Sequence, residues 1–151
     1  GLGGPNKVIA YLGTQAYTRK LVEQSGYFVV HIPTAQQMET VLYVGEHSKN
    51  TMPNKLDNLP LFYQEGVDIP MVEGSAGYLV CQVIPNPQQE QNYDSFMGEI
   101  VAAWADDRVF DGRHWLFDTA PDELRTVHYV AGGQFYAIGK GTKFDHGPGQ
   151  D

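Results

Sequence analysis

The sequence has very little cysteine, and this limits the chemistry it can carry. Cys81 is the single cysteine among 151 residues, so no disulfide can form within the chain and no CxxC motif exists. Cys81 stands in the short, mostly apolar run Leu79–Val83, which is typical of a small core residue rather than a nucleophile. A lone thiol also suits a reducing compartment, so we expect a cytoplasmic protein.

Long hydrophobic runs and a surplus of basic residues are also missing. No apolar stretch reaches the ~18–20 residues of a membrane helix, and the chain opens without a charged and then apolar leader. Ten Lys and Arg stand against eighteen Asp and Glu, giving a net charge of −8 and a pI near 4.9. We therefore expect no membrane partner and no nucleic-acid partner, since nucleic acids select a basic surface.

The sequence lacks the spacings of common catalytic and metal sites. Its five histidines form neither HxH nor HExxH, so no metal is expected. It has no GxSxG, no Walker A motif and no strand-anchored GxGxxG. The acidic pair Asp106-Asp107 lies in a turn signal and is interpreted as solvated. The histidines are His31, His47, His114, His128 and His146.

What the sequence does contain is a series of short apolar segments separated by turn residues. The segments 7–12, 27–32, 77–84, 95–105 and 134–139 are interpreted as strands. Helices are predicted at 15–25, stopped by Gly26, and from a Thr34/Gln37 capping box to Val44, closed by Gly45. Residues 46–75 are interpreted as a loop with short helical turns, and residues 85–92 as a polar turn. The pattern favours one mainly β domain, largely antiparallel, with peripheral helices.

The strongest candidate site is the strand-to-helix junction at Gln15, Tyr17, Thr18 and Arg19. Backbone N–H groups at a helix start, a threonine hydroxyl and an arginine fork can together hold a phosphate. Taken alone, the same residues also fit a surface helix with a solvated arginine.

Two longer stretches carry a family resemblance. The first is Ala16-Tyr17-Thr18-Arg19-Lys20-Leu21 with the strand Tyr27–Ile32. The second runs from Phe96-Met97-Gly98-Glu99 to His128-Tyr129 and Gly132-Gly133-Gln134-Phe135-Tyr136. In this order and spacing they resemble the flavin reductase-like family, whose fold is an antiparallel, Greek-key-like, FMN-binding split β-barrel. The resemblance covers residues 7–140, and we expect residues 1–6 and 141–151 to be flexible ends.

The resemblance implies an FMN-binding oxidoreductase that takes a hydride from NADH or NADPH. It places Tyr17-Thr18-Arg19 beside the flavin and adds Ser48, Lys55, Tyr93 and His128 as candidate contacts. The chain departs from the family pattern at Lys49, Asn54 and Leu56, and it has Tyr93-Asp94 where many relatives carry a histidine. Family members are usually homodimers, and some pass reduced flavin to a monooxygenase.

One departure keeps a second interpretation open. The family usually has two further strands before the one that matches Lys7–Leu12, and these carry part of the flavin site. We therefore expect part of that site to be missing from this sequence. The alternative to the reductase is a split-barrel module, or a dimeric subunit, that binds flavin or another flat cofactor without turnover.

Overall fold

Eight strands and three α-helices make up the described part of the chain. The computed structural model describes residues 6–46 and 55–148. Short 3-10 turns lie at Ala35–Gln37, Lys55–Asn58 and Asp122–Leu124. The strands are β1 (Lys7–Tyr11), β2 (Tyr27–Ile32), β3 (Leu61–Phe62), β4 (Met71–Val72), β5 (Gly77–Ile84), β6 (Ser95–Ala105), β7 (Val127–Ala131) and β8 (Gln134–Ala137). The helices are α1 (Tyr17–Ser25), α2 (Met38–Glu46) and α3 (Pro87–Tyr93).

The main sheet has four antiparallel strands in the order β1-β6-β5-β2, and it curls as a half-barrel. A register shift between Val80 and Cys81 marks a bulge in the β5–β6 pair, and bulges increase strand twist and bending. Two small hairpins, β3–β4 and β7–β8, lie outside this sheet. The expectation of a mainly β, antiparallel split-barrel fold is confirmed.

The two faces of the sheet have different roles because strand side chains alternate. Phe28, Cys81 and Phe96 point to one face and form the buried core with Val22 of α1. On the other face the register sets Val29 against Val80 and His31 against Tyr78. The β3–β4 hairpin packs on this second face, where the Phe62 and Tyr78 rings make a T-shaped contact with 5.3 Å between their centroids.

Several sequence expectations are corrected. Most of residues 85–92, interpreted as a polar turn, belong to α3 (Pro87–Tyr93), whose N-cap Asn86 accepts a hydrogen bond from the Gln89 N–H. The 46–75 segment, interpreted as loop, contains the β3–β4 hairpin. Gly45 lies inside α2 rather than ending it.

Other local expectations are confirmed. Strands β2, β5 and β6 have the predicted bounds. Gly26 is left-handed at the end of α1, with φ 75°, and Gly132 and Gly133 have positive φ in the β7–β8 turn. The helices described within residues 6–46 and 55–148 are all too short or too polar to cross a membrane.

Candidate functional site

The first turn of helix α1 presents backbone N–H donors and contains no acidic side chain. Its N-cap is Ala16, which provides no side-chain hydrogen bond, and no acidic residue occupies the first turn. The N-terminal N–H groups and the helix dipole therefore meet no negative side chain of this turn. Thr18 is exposed in the same turn. This arrangement favours an anionic ligand at the start of α1.

Arg19 turns the opposite way and is buried, with 7% of its surface exposed. Its Nη1 donates to the Leu12 carbonyl at 2.9 Å and to Asp94, its Nη2 donates to the Glu90 carbonyl at 2.9 Å, and its Nε donates to Glu23. The hydrogen bond to Asp94 raises the pKa of Arg19 above its already high value, so the guanidinium is charged throughout. The guanidinium fork thus joins α1 to β1 and α3.

Two adjoining grooves flank the outer strand β2. The first, the helix groove, has a volume of about 490 Å³ and runs between α1, β2 and residues 68–70. The second, the sheet groove, has a volume of about 430 Å³ and lies on the second face of the sheet. They share Ser25, Tyr27, Asp68 and Ile69. Each is within the size range of small-molecule sites, roughly 300–1,000 Å³.

Both grooves are mostly apolar, and they differ in the polar side chains that line them. The helix groove contains the polar side chains of Thr18, Gln24 and His31. The sheet groove has a bed of small apolar side chains from Val80, Val101 and Ala102. Together they offer a few polar groups beside the start of α1 and an apolar bed over the sheet.

Two titratable groups near these grooves are removed from solvent, His31 in part and Cys81 completely. Burial lowers the pKa of His31, an effect that its hydrogen bond to the Val29 backbone partly opposes, so the imidazole is neutral near pH 7. Burial raises the pKa of the Cys81 thiol, and Cys81 has no exposed surface. A protonated, inaccessible thiol fits the expected core role rather than a nucleophile.

The structure brings only part of the sequence-predicted set together. Thr18 lines the helix groove, whereas Gln15 lies in the preceding turn and Tyr17 is the first residue of α1. The bond between Arg19 and Asp94 brings the end of α3, and with it Tyr93, close to α1. Neither groove is lined by Tyr93 or His128. Lys55 starts a 3-10 turn, and Ser48 lies outside the described residues.

The sequence analysis missed most of the groove. No sequence motif marks the residues that line it, because they come together only through the sheet register and the β3–β4 hairpin. These residues include Ser25, Tyr27, Asp68, Val80 and Val101. Tyr27 had one available signal: it is a large side chain, 37% exposed, on the outer strand β2. A ligand-facing position is one explanation of such exposure.

A curled, antiparallel half-barrel with peripheral helices defines the class as a split barrel. The sequence profile of the "Flavin reductase like domain" matches residues 3–129. The chain therefore belongs to the flavin reductase-like family.

Individual relatives agree with this assignment. The crystal structure of an FMN-binding domain of a flavin reductases-like enzyme from Shewanella baltica OS155 is 44% identical, with a TM-score of 0.89, and the match covers 92% of this chain and 74% of that one. The uncharacterized protein YddH of Escherichia coli K12 is 30% identical over 90% of this chain and 72% of its own length. Flavoredoxin of Desulfovibrio vulgaris (Miyazaki F), 21% identical over 95% of this chain and 76% of its own, shares the fold with a TM-score of 0.71.

Proposed function

We propose that this chain binds FMN and acts as a flavin reductase-like oxidoreductase that uses NADH or NADPH. The observation that carries the proposal is the pair of adjoining grooves, with Thr18 and the uncapped start of α1 at one end and an apolar bed over the sheet at the other. Family membership and the 44% identical FMN-binding relative support it.

The end of the helix groove beside the start of α1 fits the phosphate of FMN. Thr18 has a hydroxyl that can donate to a phosphate oxygen, and the first turn of α1 has no side-chain cap and no carboxylate. Backbone N–H groups at a helix start bind phosphate well because the helix dipole adds to their hydrogen bonds. We assign Thr18 as the phosphate contact and Arg19 as the residue that fixes α1 in place.

The apolar end fits the flavin ring. Val80, Val101 and Ala102 form its bed, and Tyr27 stands where the two grooves adjoin. A tyrosine there can stack on a planar ring, while Asp68 and Ser25, which line both grooves, can bond hydroxyls of the ribityl chain. Gln15, Tyr17, Ser48, Lys55, Tyr93 and His128 stay predictions as further contacts.

The chain's own residues bind, orient and partly enclose the cofactor. When bound, FMN would supply the redox chemistry of hydride transfer, and the residues of the grooves would hold and orient it. Within this proposal the protein therefore needs no acid–base dyad of its own, and its contribution is the position of the ring against the nicotinamide.

A binding module without turnover is the second candidate, and one observation favours it. The resemblance implies a histidine at the positions of Tyr93 and Asp94. Here Asp94 accepts a hydrogen bond from Arg19, and Tyr93 is 65% exposed at the end of α3. Asp94 therefore has a structural role, and neither position provides a histidine as proton donor.

We also propose a homodimer, on the support of the β7–β8 hairpin. Tyr129, Val130, Tyr136 and Ile138 are between 39% and 61% exposed, and a lone two-stranded hairpin is marginally stable in water. A monooxygenase that takes up reduced flavin stays a prediction from the family resemblance.

The experiment titrates FMN into the purified protein and then adds NADH or NADPH without oxygen. Bound flavin that bleaches supports the reductase, flavin that stays oxidised leaves the binding module, and an absence of binding rejects both. We expect Thr18→Ala to raise the Kd for FMN about tenfold, the cost of one hydrogen bond to a charged group. Thr119→Ala is the control, because Thr119 is exposed and bonds the Leu116 carbonyl, and unchanged affinity in Thr18→Ala would contradict the assignment.

A further inference from the structure

Both grooves share one wall, formed by residues 66–70 of the short β3–β4 hairpin. Residues 66–70, between β3 and β4, include Asp68 and Ile69, which line both grooves. Strands β3 and β4 have two residues each, and a hairpin this short is not stable alone. The position of the wall therefore depends on what ties the hairpin to the main sheet.

Val72 of β4 carries that tie through both of its backbone polar groups. Its N–H donates to Nε2 of His31 at 3.0 Å, and its carbonyl accepts from the Tyr78 hydroxyl at 2.7 Å. His31 and Tyr78 are partners in the β2–β5 register, with ring centroids 5.2 Å apart in a T-shaped contact. Two neighbouring side chains of the main sheet thus hydrogen-bond the backbone of one hairpin residue, Val72.

The His31 contact requires one protonation state. An imidazole nitrogen that accepts an N–H must hold a lone pair, so the ring proton lies on Nδ1. Protonation of Nε2 would set an N–H against the Val72 N–H and remove the acceptor. Burial of the ring opposes the charged form.

Few ionisable groups face His31 from the surrounding elements. Asp68 of the wall and Tyr27 of β2 line the same groove, and Tyr78 of β5 contacts the ring. Helix α1 contributes the neutral Thr18 and Gln24 to this groove. Asp68 is the one carboxylate in this set, so its effect on the protonation of His31 is tested with a separate variant.

We propose that His31 is a positioning residue for the cofactor groove: its neutral imidazole holds Val72, and through it the wall of residues 66–70, so that protonation of His31 loosens the wall and weakens cofactor binding. The second half of this statement rests on the proposed FMN site, whereas the first half concerns the hairpin alone.

The first test needs no cofactor and measures amide hydrogen exchange at Val72. The folded pKa of His31 is below its usual value of about 6.5, so the opened hairpin binds the proton more readily than the closed one. Protection at Val72 should therefore be complete above about pH 6.5 and fall below it, by at most about tenfold per pH unit for one proton. The Val83 N–H, which bonds the Gly26 carbonyl at 2.8 Å, is the reference amide and should keep its protection.

Variants separate the charge of His31 from its packing. His31→Gln keeps a neutral acceptor and should remove the pH dependence at Val72, while the exposed His114→Gln should leave it. Tyr78→Phe removes the other hydrogen bond to Val72 and should lower protection at every pH.

Asp68→Asn tests the neighbouring carboxylate. In this variant the protection at Val72 should still fall with a midpoint below pH 6.5. Loss of this pH dependence in Asp68→Asn would overturn the assignment to His31. If His31→Gln does not fold, the wild-type profile decides, because a pH-independent Val72/Val83 ratio overturns the proposal.

The second test follows the Kd for FMN over the same pH range. The Kd should rise several-fold more in the wild type than in His31→Gln as the pH falls below about 6.5. The difference between the two proteins removes the titration of the FMN phosphate, whose pKa is about 6. Equal pH profiles, with Val72 exchange still pH-dependent, would overturn the coupling to binding. Failure to bind FMN at any pH would instead reject the proposed function and leave the exchange result standing.

Discussion

Gly98 shows how a single residue can be fixed by packing rather than by backbone conformation. A Cβ at this position would lie 2.7 Å from Cζ of Phe28 and 2.8 Å from Cβ of Cys81. The Phe28 ring therefore rests against the bare backbone of β6, opposite Val83. A glycine inside a strand indicates either a bulge or a close approach of another group; the close approach is at Gly98, and the bulge is at Val80/Cys81.

The substitution Gly98→Ala is therefore expected to lower the free energy of unfolding by about 1–3 kcal/mol, the usual cost of overpacking a core. Urea unfolding measures this. Gly45→Ala is the matched control, because Gly45 lies in α2 and a methyl group there would have no described atom within 4 Å. There alanine should be neutral or stabilising by up to about 1 kcal/mol. Equal losses in both variants would argue against the Phe28 contact.

At the scale of elements, Arg19 connects three of them at one point. Its side chain is 8% exposed and donates to Asp94, the left-handed residue that ends α3. It also donates to the carbonyls of Leu12, just after β1, and of Glu90 in α3. The ring of Phe96 lies below the guanidinium at 5.2 Å. Loss of the cation would leave Asp94 without its partner and two carbonyls without a donor.

We therefore expect Arg19→Met to lower the Tm by several degrees, measured by circular dichroism. Arg108→Met is the matched control. Arg108 also pairs with an aspartate, Asp106, but its side chain is 61% exposed, and such exposed pairs add little stability. A Tm loss as large in Arg108→Met as in Arg19→Met would show that burial is not the reason.

The same element shows how far sequence reasoning reached. Thr18 and Arg19 were grouped as one phosphate cradle because they are adjacent, yet a helix turns by about 100° per residue, so the two side chains diverge. Which of them faces the groove depends on Asp94, 75 positions away in the chain. Helix α3 could have been predicted: Asn86, Pro87 and Glu90 form an N-cap, an N1 proline and a first-turn acid, the standard start signals.

At the scale of the whole molecule, charge and apolar surface are unevenly distributed. The chain has a net charge of −8, yet residues 127–139 contain no Lys, Arg, Asp or Glu. These residues form the β7–β8 hairpin, with Tyr129, Val130 and Tyr136 exposed. Exposed strands usually carry charged residues that prevent pairing with other chains. Their absence here agrees with a surface that a second copy covers.

The dimer proposal makes a direct prediction for Tyr136→Lys. A lysine in the covered surface must bury its charge, so we expect the dimer dissociation constant to rise by about tenfold or more, measured by sedimentation velocity over a range of concentrations. Tyr63→Lys is the control, because Tyr63 is also 61% exposed but lies beyond β3, in the loop toward β4. Circular dichroism checks that both variants fold. A wild type that stays monomeric at high concentration, or two variants that dissociate equally, would refute the hairpin as the interface.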